Sequence, residues 1–125
     1  MRIALVALMA LHGIAHLPGF VVPWRLAEVE AMPYGTTVLG GHLDVGAAGI
    51  RALGVLWLLA ALTFWAAAAG AVAGSGWWVP LATAAAAASL VLCAFGWPYA
   101  RLGILVNAAL LALLVFRGQI GRIAG

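Results

Sequence analysis

Four long apolar runs, separated by short stretches rich in glycine, proline and tryptophan, dominate this chain of 125 residues. A helix rises about 1.5 Å per residue, so roughly 20 residues cross the ~30 Å hydrocarbon layer of a bilayer. Hydrophobic residues make up 67% of the chain and charged residues only 7%, with a mean hydropathy of +1.18. No water-soluble domain of this size sustains such a balance. The expected fold is all-α: one integral membrane domain over residues 1–125, built as an antiparallel four-helix bundle. The helices are expected at about 3–22, 44–73, 79–96 and 101–117, with residues 23–43 forming an interfacial loop.

Local signals set these limits. Pro18, Gly19 and Pro23 should kink or end the first helix near its far boundary. Between Pro23 and His42 lie Trp24, Arg25, Glu28, Glu30 and Tyr34 among the turn formers Pro33, Gly35, Gly40 and Gly41, a mixture suited to a membrane interface. Gly74, Ser75 and Gly76 form a tight turn, and Trp77 and Trp78 mark its water boundary. Gly96, Trp97, Pro98 and Tyr99 make the last turn. The retained first helix does not read as a signal peptide, because histidines interrupt the apolar region and no small-x-small cleavage site precedes a polar start.

Charge narrows the functional classes. The formal charge of +3 comes from six arginines and three acidic residues, and the arginines stand singly at segment ends. That distribution suits lipid phosphates and topology, and it excludes a nucleic-acid footprint. Arg2, Arg117 and Arg122 should share one side with both termini, while Arg25, Arg51 and Arg101 face the other. A multi-pass protein of a bacterial-type inner membrane, with cytoplasmic termini, is the expectation. Cys93, the single cysteine, lies in an apolar run and reads as a small buried hydrophobe. The alanine run Ala84–Ala88 and the spacing of Ala66, Gly70 and Gly74 suit close helix packing, with a ligand groove over that smooth face as the alternative.

The polar residues inside the apolar runs carry what chemistry there is, since ionisable groups at membrane depth are costly. His12 and His16 are one turn apart on one helix face, about 6 Å from each other, a separation that lets two imidazoles hold one metal. Both should point into the bundle rather than at lipid. His42 and Asp44, two apart, would add a nitrogen and an oxygen donor in an extended stretch. The alternatives are hydrogen bonds across the bundle for His12 and His16, a loop position for His42, and a helix cap for Asp44. In the expected topology His16, His42, Asp44, Arg51 and Arg101 fall near one membrane face, with Asn107 about two turns deeper. They are the candidate ligand-binding set. His12 and His16 are the candidate metal ligands.

The run Leu11, His12, Gly13, Ile14, Ala15, His16, Leu17, Pro18, Gly19, Phe20, followed by a glycine-rich entry from Gly46 to Gly54, resembles the DoxX-like small four-helix membrane proteins. The resemblance implies a first helix ending in a histidine-glycine motif, then a loop and three further helices. It also implies kinship with subunits of quinone-linked oxidoreductases or redox-protective membrane complexes. Arg51 stands where that group usually carries an acidic residue, so no catalytic residue is carried over.

The leading expectation is therefore a polar pocket within the membrane that binds a lipophilic ligand, a quinone or a lipid, in a redox complex. A structural or accessory subunit is the alternative from another class, and a metal- or haem-dependent membrane enzyme using His12 and His16 is the third. The partners expected are membrane lipids and either other membrane subunits or a second copy of the chain.

Overall fold

The computed structural model describes the backbone of residues 2–124 and the side chains of residues 2–117. Four long helices and a single-turn helix account for nearly all of its regular structure. They are α1 (Arg2–Ala15), α2 (Pro18–Val21), α3 (Gly46–Val72), α4 (Trp78–Phe95) and α5 (Arg101–Ala124). Among the described residues three stretches are long and apolar enough to cross a membrane: Arg2–Val21, which joins α1 to α2, Gly46–Val72 and Trp78–Phe95. The side chain of Arg122 and the terminal Gly125, assigned above to the terminal side, lie outside the described residues.

Helix directions follow from which residues meet. His16 lies against Trp57 and His12 against Phe64, while the indole of Trp65 donates to the carbonyl of Ala10 at 3.1 Å. Numbers fall along α1 as they rise along α3, so the two run antiparallel. Short turns reverse the chain between α3 and α4 and again between α4 and α5. The first of these turns closes as glycine allows: Gly74 has φ +75°, the Ser75 amide reaches back to Gly70 O at 2.9 Å, and the Gly74 amide reaches Ala71 O at 3.2 Å. Both carbonyls at the helix end are thereby satisfied.

Each helix turns one stripe inward at spacings of three and four. On α1 the stripe is Leu5, Met9 and His12, continued by His16 just past its end; on α4 it is Trp78, Ala82, Ala85, Ser89 and Cys93; on α5 it is Asn107, Leu110 and Leu114. Small residues let the helices close up, but only part of the alanine run takes part. Ala85 and Ala86 are buried with Ala67, Ala68 and Ala71 of α3, whereas Ala66, Ala84 and Ala88 face outward. Tryptophans exploit glycine gaps in the same way. A Cβ on Gly13 would stand 2.5 Å from Trp65 Nε1, and one on Gly19 would stand 2.5 Å from Trp57 Cγ.

Three boundaries differ from expectation. The connection after α2 is not structureless: β1 (Thr37–Val38) pairs antiparallel with β2 (Leu43–Asp44). The turn between them is built on Leu39, Gly40 and Gly41, all at positive φ. Amide bonds from Leu39 to Phe95 O at 2.8 Å and from Gly40 to Trp97 O at 2.9 Å pin this hairpin to the α4–α5 turn. Second, α3 begins at Gly46 rather than Asp44, because Asp44 belongs to β2. Third, α5 runs to Ala124 rather than stopping at Arg117; no proline follows Arg117 to interrupt it.

Candidate functional site: a buried polar layer beside a cavity

Pro18 has no N–H and so cannot bond the carbonyl of Ile14, which is taken instead by the Leu17 amide at 3.1 Å. The tightening propagates back one residue. The His16 amide bonds Gly13 O at 3.1 Å and leaves the carbonyl of His12 free of its usual helical donor. The His16 side chain takes that place, with Nδ1–H donating to His12 O at 2.6 Å. A sequence-encoded break thus fixes both the direction and the tautomer of a buried imidazole.

The rest of the layer follows from that bond. A carbonyl only accepts, so Nδ1 of His16 carries the proton and Nε2 of the neutral ring is a bare acceptor. The Ser89 hydroxyl of α4 donates to it. The oxygen of Ser89 then accepts from Asn107 Nδ2 of α5 at 2.9 Å. This orients the amide so that Asn107 Oδ1 accepts from His12 Nε2–H at 2.9 Å. Cys93 completes the surroundings, its sulfur 3.6 Å from Asn107 Nδ2. The two imidazoles meet edge to face at 4.5 Å between centroids, and Phe64 lies 5.0 Å and 5.3 Å from them.

All four polar side chains are buried: His16 is 1% exposed, His12 6%, and Ser89 and Asn107 not at all. Among the described residues no buried side-chain nitrogen or oxygen lacks a partner, as apolar surroundings require.

Beside this layer lies a cavity of about 280 Å³ between α1 and α5. His12, His16 and Cys93 line it, with Leu102 and Val106 of α5 and Met32 of the connecting segment. α1 and α5 touch each other far less than α1 touches α3 or α4 touches α5, which leaves room for a cleft between them.

The structure brings together only part of the set read from the sequence. His16 and Asn107 join, with His12 between them. His42, Asp44, Arg51 and Arg101 are exposed, and among the described residues no hydrogen bond or ion pair ties any of them to His16. Their partners are local. The Asp44 carboxylate accepts from the Gly46 amide at 2.9 Å, and that bond, with a second from Thr36, holds its pKa below the usual carboxylate value. Arg51 lies 5.8 Å above the Trp24 ring, and the Trp24 indole donates to Arg51 O at 2.9 Å. The four-donor metal set is corrected too. Among the described residues no group of three His, Cys, Asp or Glu side chains stands close enough to hold an ion, and His16 has both nitrogens engaged.

Sequence reasoning missed Ser89 and the place of Cys93. The signal was present: both continue the inward stripe of Ala82 and Ala85 at helical spacing, where a serine must find a bond.

No known family, curated protein or solved structure matches this chain.

Proposed function

We propose that this chain is an integral membrane protein, an antiparallel four-helix bundle of the bacterial inner-membrane type, that binds a lipophilic ligand with a quinone-like headgroup in the cleft between α1 and α5. The carrying observation is His12, a side chain 6% exposed that lines an otherwise largely apolar cavity. A cavity of about 280 Å³ is at the small end for a whole ligand and suits a single ring, with an apolar tail leaving sideways. Leu102, 71% exposed, stands at that lip. The resemblance of Leu11–Phe20 and Gly46–Gly54 to DoxX-like proteins supports a redox complex as the setting. Arg2 and Arg117 share an end without the acidic residues Glu28, Glu30 and Asp44 of the opposite loop, which supports cytoplasmic termini.

Photolabelling of the detergent-purified protein with an azidoquinone tests the site. Adducts are expected on peptides containing Val106 or Met32, and Val106→Trp should abolish them by filling the cleft. Labelling that ignores Val106→Trp would contradict this site. The topology is tested by S75C and Y34C, which should label from opposite sides of a sealed vesicle.

A second reading, an accessory subunit, is favoured by Ala84 and Ala88, four apart on the outward face of α4, a pattern that admits close helix approach in lipid. It predicts a larger assembly in native membranes that Ala88→Leu breaks.

A further inference from the structure

The polar layer has a direction, and the direction has an end. Beginning at the carbonyl of His12, each bond fixes the next: His16 Nδ1–H to His12 O, Ser89 Oγ–H to His16 Nε2, Asn107 Nδ2–H to Ser89 Oγ, and His12 Nε2–H to Asn107 Oδ1. No carboxylate bonds to either ring among the described residues. An imidazolium there would be an unpaired charge among apolar helices, so both rings are neutral. A neutral imidazole with its proton on Nε2 has a bare lone pair on Nδ1.

That nitrogen makes no hydrogen bond among the described residues. Since no buried side-chain nitrogen there is left without a partner, Nδ1 of His12 is not sealed in protein, and the space that His12 lines is the α1–α5 cavity. His16 lines the same cavity but has both nitrogens engaged. The cavity thus offers one strong anchoring group, and that group only accepts. Tyr99 at the same cavity is 58% exposed; its hydroxyl donates or accepts and sets no preference.

Resting on the binding site proposed above, we infer that the cleft selects a ligand that donates a hydrogen bond, a phenolic or hydroquinone O–H, over the carbonyl of the oxidised quinone. A hydroquinone places its O–H on Nδ1 of His12 and gives the relay a fifth link. A quinone carbonyl would set a lone pair against a lone pair, and it could bind there only after the three side-chain bonds of the relay reversed, which in a neutral His16 would also cost the Nδ1–H bond to His12 O.

Calorimetric titration under argon of the detergent-purified protein, with duroquinol, duroquinone and the dimethyl ether of duroquinol as probes, separates the possibilities, because the three share a ring and differ in the O–H. The expected result is saturable binding of duroquinol about tenfold tighter than of duroquinone, the increment of one hydrogen bond, with the ether no better than the quinone. His12→Phe, which keeps a ring and removes the acceptor, should erase that preference; should the variant fail to fold, the wild-type ratio decides alone. Equal affinities, a preference for duroquinone, or an ether as tight as the quinol would overturn the donor requirement and leave the cavity as a binding site. Saturable binding of none of the three would overturn both.

Discussion

Two layers of the same helices, about one turn apart, are held by different physics. In the first, Leu5 and Met9 of α1 pack with Phe64 and Ala67 of α3, Ala82 and Ala86 of α4, and Leu110 and Leu114 of α5; the contacts are apolar and carry no direction. In the second, His12, His16, Ser89 and Asn107 occupy the next positions on the same stripes and are joined by bonds that each admit one sense only. Dispersion tolerates any side chain of similar volume. A closed set of hydrogen bonds tolerates only a side chain that restores both donor and acceptor. The apolar layer therefore fixes how closely the helices approach, and the polar layer fixes their register and presents a chemically defined group to the cavity.

The most severe break should come at Phe64, which is fully buried and touches both layers. Phe64→Ala is expected to cost about 4 kcal/mol, the cavity and the lost transfer term acting together, read as a lowered midpoint in thermal or denaturant unfolding in micelles. A matched pair of changes that each keep the number of side-chain heavy atoms sharpens the comparison. Leu110→Met should cost about 1 kcal/mol. Asn107→Leu should cost about 3 kcal/mol, because it strands the N–H of His12 and leaves Ser89 without its amide donor. Equal losses in the two variants would mean that the polar layer is ordinary packing.

A smaller effect is expected where α4 and α5 meet. A Cβ on Gly103 would stand 2.5 Å from Cys93 Sγ, so Gly103→Ala should cost about 2 kcal/mol by overpacking. Adding Cys93→Ala should recover most of it, and a double-mutant cycle reads the coupling. The smallest effect belongs to the arginines. Arg51→Leu and Arg101→Leu should each change stability by less than about 0.5 kcal/mol, since both are exposed and neither bonds to the polar layer. A loss of several kcal/mol would restore the wider site that their positions in the sequence suggested.

What the sequence made legible was whatever one helix decides alone. Hydropathy located the apolar runs, and spacing by four put His12 and His16 on one face; partners being absent from lipid, that face turned inward. Asn107 was legible for the same reason. The arginines misled because nearness to one end of a bundle was read as contact, while an exposed arginine settles on the closest aromatic ring, as Arg25 does 4.0 Å from Tyr34. Ser89 escaped notice because a serine in an alanine helix resembles packing until its partners on other helices are known. The hairpin escaped notice because two-residue strands leave no period to read. The free carbonyl of His12 could have been anticipated from Pro18, but its capture by His16 depends on a ring orientation that no sequence pattern encodes.

The central claim is that the relay runs one way, from His12 through Asn107 and Ser89 to His16 and back to a backbone carbonyl, and so leaves Nδ1 of His12 bare. Nitrogen-15 spectra of the histidine-labelled protein, assigned with Asn107→Leu and Ser89→Ala, report the tautomer of each ring directly and without a ligand. The account predicts a proton on Nε2 of His12 and on Nδ1 of His16. A proton on Nδ1 of His12, or on both nitrogens of His16, would reverse the relay and contradict it.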